Sequence, residues 1–324
     1  MTHAIRIHAP GGPEVLRWEP VVVGAPGAGE IRIAQTCVGL NYIDVYYRTG
    51  LYSAPGPFTP GLEAAGVVEA VGAGVTDLVV GDRVAYAAGP LGAYAEARLM
   101  PADRVVKIPA GISDAQAAAM MLQGMTVQYL LRRTYRVQPG DTLLVHAAAG
   151  GVGLILCQWA QHLGATVVGT VSSDEKAALA RANGCTHTIV YTREDFQSRL
   201  LDITNGQKVP VVYDSVGVDT FAKSLDCLAP MGTMVLFGQA SGPVPPFDLG
   251  QLAAKGSLFI TRPTLFSYTA KRADLEATAQ DLFDVVASGA VKISINQTYA
   301  LRDAAQAMRD LEARKTTGST VLMV

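Results

Sequence analysis

The chain has 324 residues, 49% hydrophobic and 17% charged, which supplies a large core and favours two domains over one. A formal net charge of -2 gives no basic footprint for nucleic acid or for an anionic membrane surface. The four cysteines (Cys37, Cys157, Cys185, Cys227) have neither zinc-site spacing nor disulfide-framework density, and no apolar run approaches the length of a membrane span. A cytoplasmic protein with no signal peptide and no membrane insertion is therefore expected.

From residue 1 to about 110, short β-like runs (Glu30 to Gly39, Gly66 to Val71, Asp82 to Ala87) alternate with Gly/Pro turns and predict a β-rich domain. Ser113 opens a helical segment with Gln116 at capping-box distance, its Ala/Met/Leu body running through Met125 to Arg132. From about 125 to 262 strands alternate with helices, as a parallel α/β sheet requires. Strands are expected at Leu143 to His146, Thr166 to Val171, Thr188 to Tyr191, Val209 to Asp214, Thr233 to Phe237 and Leu258 to Thr261, the six of a doubly wound fold. A helix from Asp174 to Asn183 is closed by Gly184, with Asp174 read as a cap pointing to solvent or, alternatively, as an acid turned inward that would repel a bound phosphate. Beyond that, Ala273 to Ser288 and Leu301 to Arg314 read as helices, followed by the apolar tail Thr320 to Val324. These last elements have no place in a nucleotide fold. They are expected to return to the first domain and leave an active site in the cleft between the two.

Between the first of these strands and the helix behind it lies His146-Ala-Ala-Ala-Gly-Gly-Val-Gly153, with the spacing Ala148-x-Gly150-x-x-Gly153. It resembles a dinucleotide pyrophosphate clamp whose first glycine is alanine. Gly150 lets backbone approach a phosphate, Gly153 lets the helix pack on its strand, and the helix start favours the anion. An NAD site places an acid at the tip of the second strand; here the tip reads Val171-Ser172-Ser173. Two hydroxyls followed by Lys176 suit the 2′-phosphate of NADPH, with an ordinary solvated lysine as the alternative.

Several motifs in order, Asn41-Tyr42-Ile43-Asp44, Pro60-Gly61-Leu62-Glu63-Ala64-Ala65-Gly66, Gly81-Asp82-Arg83-Val84, Gly92-Ala93-Tyr94-Ala95-Glu96, the glycine loop and Tyr213-Asp214-Ser215-Val216-Gly217, resemble the zinc-free NADPH:quinone oxidoreductases, the zeta-crystallin-like group of the medium-chain dehydrogenase/reductase superfamily. The resemblance runs end to end. It implies an α/β architecture: a GroES-like β-rich catalytic domain (1–124 and 263–324) interrupted by a Rossmann domain with a parallel six-stranded sheet (125–262), usually as a homodimer through the nucleotide-binding domains. Zinc-dependent members of the superfamily hold zinc with a cysteine where this chain has Asn41 and a histidine where it has Leu62; amide and alkyl groups do not replace thiolate and imidazole. By the same resemblance, Asn41 and Tyr46 would face the nicotinamide and its ribose, with Thr126 and Tyr129 nearby. Gly150, Gly151 and Val152 would meet the pyrophosphate, Ser172 and Lys176 the 2′-phosphate, and Tyr191 the adenosine end. Ser215, Phe237, Gly238, Arg262 and Arg314 complete the expected cofactor contacts.

Each of these residues has a plainer reading. Asn41 alone reads as a turn residue, and Tyr46, Tyr47 and Tyr52 as half-buried packing aromatics. Arg262, before Pro263, reads also as a surface ion-pair residue, His146 as a structural hydrogen-bonding histidine, and Cys37 as a small buried hydrophobe. Glu63 reads either as a structural carboxylate or as one that supports the site from behind, and without zinc neither role is singled out. The function implied is NADPH-dependent reduction of a small-molecule quinone without metal, by hydride transfer or by one electron at a time, for which Asn41, Tyr46, Tyr52 and Arg262 are the candidate catalytic donors. Orientation of a planar acceptor, and a donor or two for the developing oxyanion, are what this chemistry needs. Reduction of an activated carbon-carbon double bond in an enone or enoyl thioester is the alternative, with Tyr46 or Tyr52 as proton donor. A non-catalytic NADPH-binding protein, structural or RNA-binding, is the reading from another class, and the charge balance opposes its RNA form.

Overall fold

The computed structural model describes residues 2–324, which fold as two units: the chain up to Met125 with Tyr268–Ala287 and Ile293–Val324, and Thr126–Ser267 with Ser288–Lys292. The first unit opens with an antiparallel pair, β1 (Thr2–Arg6) and β2 (Arg17–Val21). β3 (Glu30–Leu40) alternates buried with half-buried residues up to Thr36 and is wholly buried from Cys37 on, so a central strand delivers the chain to a buried corner. There the structure places α1 (Tyr42–Arg48), a helix that the sequence reading missed. Asn41 is not a turn residue but the N-cap of α1, and its own N–H is taken by the Asp44 carboxylate at 2.9 Å. β4 (Ala64–Val71), β5 (Arg83–Tyr86), β6 (Ala97–Pro101) and β7 (Val106–Lys107) follow.

α2 (Asp114–Ala118) carries the expected capping box: Gln116 N–H donates to Ser113 Oγ at 3.2 Å and Ser113 N–H to Gln116 Oε1 at 3.0 Å. The single long helix expected from Ser113 is broken, however, into α2, α3 (Met121–Tyr129) and a π-turn at Leu130–Thr134.

The second unit is built on β8 (Thr142–Val145), α4 (Gly151–His162), β9 (Thr166–Val171), α5 (Asp174–Ala182), β10 (His187–Val190), α6 (Phe196–Ile203), β11 (Val209–Asp214), α7 (Phe221–Asp226), β12 (Leu228–Leu236), α8 (Gly250–Ala254) and β13 (Phe259–Thr261). The six strands form one parallel sheet in the order β10-β9-β8-β11-β12-β13. This is the doubly wound order, whose direction of winding reverses between β8 and β11. α5 corrects the expected cap. Ser173, not Asp174, is the N-cap, its Oγ accepting from Lys176 N–H at 3.3 Å, while Asp174 turns outward to the Arg193 guanidinium at 2.5 and 2.6 Å.

α9 (Leu265–Tyr268), α10 (Arg272–Ala287), β14 (Ile295–Ala300), α11 (Ala304–Glu312) and β15 (Ser319–Met323) end the chain. β15 pairs antiparallel with β3, Leu322 opposite Val38, in a sheet ordered β14-β15-β3-β4-β5-β7 with β6 also on β3. Leu301, Ala304, Met308 and Leu322 thereby share one core with Ile5, Ile33, Val68 and Tyr94. The expected helix from Leu301 to Arg314 is shorter: it begins as a 3-10 turn at Leu301–Asp303 and ends at Glu312. Arg314 lies beyond it with φ +58, the left-handed position that commonly follows a helix C-terminus.

Candidate functional site

In the second unit the expected cofactor residues fall at one edge of the sheet. The glycine loop follows β8, Ser172 follows β9, Tyr191 follows β10, Ser215 follows β11, Phe237 and Gly238 follow β12, and Arg262 follows β13. Because all six strands are parallel, these are the carboxyl ends, where a doubly wound sheet presents its ligand. Lys176 is half-buried in the first turn of α5, and Thr126 and Tyr129 are buried in the last turns of α3.

The loop shows how the alanine is accommodated. Ala147 takes the left-handed conformation at φ +55, and the Ala148 methyl lies where a side chain on Gly169 of β9 would stand, 2.5 Å from its Cβ position. A glycine on the neighbouring strand thus compensates for the missing one in the motif. Any Cβ on Gly153 would overlap the backbone of Ala147 and Ala148, which fixes the approach of α4 to β8. Gly150 is the N-cap of α4 and supplies no side-chain cap, and a Cβ there would meet only the Ala147 carbonyl, at 3.3 Å. Gly151 and Val152 remain half-exposed in the first turn, whose N–H groups have no intrahelical partner. The contrast with α5, capped by Ser173, is chemical: α4 keeps its first turn and its positive dipole end for an anion, which fits a dinucleotide pyrophosphate.

His146 is held between Thr170 Oγ1 at 3.0 Å and Ser224 Oγ at 2.9 Å, edge-on to Phe196, and burial lowers its pKa. It is the structural histidine expected. Asp214, fully buried, accepts from Val216 N–H at 2.7 Å and Thr220 Oγ1 at 2.7 Å and so shapes the turn that carries Ser215.

In the first unit Asn41, Tyr46, Tyr52 and Arg314 gather around α1. The Tyr46 ring lies 5.5 Å from Tyr42 and 5.2 Å from Tyr52, and Tyr52 also meets Tyr47 at 5.5 Å. Tyr46 is buried rather than half-buried, while Tyr47 and Tyr52 are half-buried. The Tyr42 phenol is pushed up by burial and by the Glu312 charge and pulled down by Arg314 and Arg48, which places Arg314 within electrostatic reach of this aromatic group. Cys37 is buried, as a small hydrophobe would be.

Sequence reasoning left the role of Glu63 open and passed over Gln123 and Ser319. Asn41 Nδ2 donates to Glu63 Oε2 at 2.6 Å, and Gln123 Nε2 donates to Asn41 Oδ1 at 3.1 Å. Leu122 N–H donates to Glu63 Oε1 at 2.7 Å, so this carboxyl also serves the first turn of α3. Burial pushes Glu63 up to about 8 against the pull of these bonds, and Asp44 up to about 7 against its bonds from Asn41 and Tyr94. Nothing in the local sequence pattern signals Gln123 or Ser319, because 82 and 196 residues separate the partners in the two bonds that tie them in. Among the described residues no group of three or more His, Cys, Asp or Glu side chains is arranged to hold a metal ion.

Two family models match the chain: an alcohol dehydrogenase GroES-like domain over residues 27–110 and a zinc-binding dehydrogenase over residues 151–287. A quinone oxidoreductase of Pseudomonas aeruginosa is 54% identical over the full length of both chains. A 2-haloacrylate reductase of a Burkholderia species is 48% identical over all of this chain and 99% of that one. The crystal structure of the Escherichia coli quinone oxidoreductase complexed with NADPH superposes with a TM-score of 0.98 at 47% identity, covering 100% of each chain. With its GroES-like unit, its doubly wound six-stranded sheet and full-length identity at this level, the chain belongs to the quinone oxidoreductase family of the medium-chain dehydrogenases/reductases.

Proposed function

We propose that this chain is an enzyme that reduces small-molecule quinones with NADPH. The observation that carries the reading is the full-length likeness, at 47% identity and a TM-score of 0.98, to a quinone oxidoreductase solved with NADPH. The open, uncapped start of α4 supports it as the pyrophosphate seat, with Gly150, Gly151 and Val152 as its lining. Ser172 and Lys176 are assigned to the 2′-phosphate. Of the two acids in that turn, Asp174 and Glu175, the first is paired outward with Arg193, which lessens the repulsion it would otherwise exert. Thr126, Tyr129, Tyr191, Ser215, Phe237, Gly238 and Arg314 are proposed as the remaining cofactor contacts.

NADPH supplies a hydride; with one proton from solvent, quinone becomes hydroquinone. The product anion is aromatic and carries its charge on oxygen, so strong acid catalysis is unnecessary. The chain's task is to orient the acceptor and to present donors to that oxygen. Asn41, Tyr46, Tyr52 and Arg262 are the donors proposed. Steady-state oxidation of NADPH with 1,4-benzoquinone or 1,4-naphthoquinone tests the reading; no turnover with any quinone contradicts it.

A second reading has its own observation, the 2-haloacrylate reductase at 48% identity. Reduction of an activated double bond requires protonation of carbon, for which a Tyr46 or Tyr52 phenol is the available acid. A higher kcat/KM on 2-chloroacrylate than on quinones favours it. The proposal includes a cytoplasmic location, supported by four free, buried cysteines. It also includes a homodimer formed through the nucleotide-binding units, supported by the open edge of β13, which pairs with β12 alone, and by Phe259 on that strand, 61% exposed.

A further inference from the structure

Asn41 belongs to a chain of four buried polar side chains. Glu63 accepts from Asn41 Nδ2, Asn41 Oδ1 accepts from Gln123 Nε2, and Gln123 Oε1 accepts from Ser319 Oγ at 2.8 Å. Ser319 Oγ also lies 2.8 Å from the Ala119 carbonyl. A hydroxyl has one hydrogen, so it serves one of these two acceptors at a time.

That second acceptor makes the opposite polarity available. With Ser319 donating to Ala119 O, it accepts from Gln123 Nε2; Gln123 Oε1 then takes the Asn41 amide N–H, and Asn41 Oδ1 faces Glu63. The two ends of an amide have nearly the same shape, and Gln123 and Ser319 are each satisfied either way. What forbids the reversal is the ionised form of Glu63, which has no donor for Asn41 Oδ1; the neutral carboxyl, favoured below about pH 8, carries one hydrogen and permits either polarity. Water does not offer an escape, since Glu63 is fully buried and Asn41 is 6% exposed.

We propose that ionised Glu63 is a positioning residue for the reduction reaction: through this chain it fixes which end of the Asn41 amide carries the spare N–H offered to the reacting groups. The inference rests on the reading of Asn41 as a donor in the site. Glu63 touches neither acceptor nor cofactor in this account; it acts through Asn41.

Glu63→Gln tests it with little disturbance of packing. In this variant the new amide keeps the Leu122 N–H on its oxygen and turns its NH₂ group to Asn41 Oδ1, so the whole chain reverses with Asn41, Gln123 and Ser319 still paired. At pH 9, where the wild-type carboxyl is ionised, the variant is expected to melt no lower than the wild type while kcat with 1,4-naphthoquinone falls about tenfold or more, the scale set by loss of an oxyanion donor. Its Asn41 side-chain amide signals in ¹H–¹⁵N spectra should leave the position of a carboxylate-bonded amide. A folded E63Q with wild-type kcat overturns the proposal. The charge-conserving double variant E63Q/Q123E places the carboxylate on the other side of Asn41 and locks the reversed polarity; it is expected to be as slow as E63Q, and recovery of wild-type kcat overturns the proposal. If the wild type itself turned over no quinone, the function proposed above would fall, and the amide spectra would still decide this point: unmoved Asn41 signals in E63Q contradict the positioning role.

Discussion

Single side chains decide cofactor choice and pH response. If Ser172 and Lys176 hold the 2′-phosphate, Lys176→Ala removes a charge-assisted contact of about 1.5–3 kcal/mol, so KM for NADPH should rise about tenfold or more while KM for NADH barely moves. Equal effects on the two cofactors would show that Lys176 lies elsewhere. Glu63 and Asp44 make a separate prediction about stability. Burial raises Glu63 from 4.5 to about 8 and Asp44 from 3.8 to about 7, so between about pH 4 and pH 8 the folded chain holds more protons than the unfolded one. Stability is then full at low pH and is lost as pH rises through the folded values. Thermal melts at pH 5 and pH 9 should show a lower Tm at pH 9 for the wild type and a smaller difference for Glu63→Gln; an equal drop in both would exclude Glu63 as the source.

At the scale of elements, the glycine loop joins a strained residue to a crowded one. Ala147 at φ +55 occupies a region that L-residues disfavour, so Ala147→Gly should stabilise the protein by about 1 kcal/mol in urea unfolding while leaving NADPH affinity unchanged. Gly153→Ala should do the reverse, costing about 1–3 kcal/mol and weakening NADPH binding, because a methyl there meets backbone that cannot swing aside. Most of this sheet was legible in the sequence, since buried parallel strands such as Val209–Asp214 are continuous apolar runs between turn residues, and the residues proposed to meet the cofactor follow their ends. What could not be read has identifiable causes. α1 is only seven residues long and its cap looks like a turn; Gly169 makes room for Ala148 from another strand; Ser173 rather than Asp174 caps α5 because the acid is drawn away by Arg193, nineteen residues on. Each depends on a partner distant in sequence or on a helix too short for periodicity to show.

For the molecule as a whole, the family and fold were legible from several ordered motifs, whereas the polar chain through Asn41 was not, because β15 brings Ser319 to α3 from the far end of the sequence. The proposed dimer is a whole-molecule property with a direct test. Sedimentation should give twice the chain mass for the wild type, and Phe259→Lys, which places a charge on the open β13 edge, should give a monomer that keeps its circular dichroism. A wild-type monomer would remove the dimer from the account. The central claim is tested most directly by an anaerobic progress curve with 1,4-naphthoquinone in which NADPH consumed and hydroquinone formed are followed together: one hydroquinone for each NADPH is the result predicted, and NADPH left unconsumed by naphthoquinone and benzoquinone alike would contradict it.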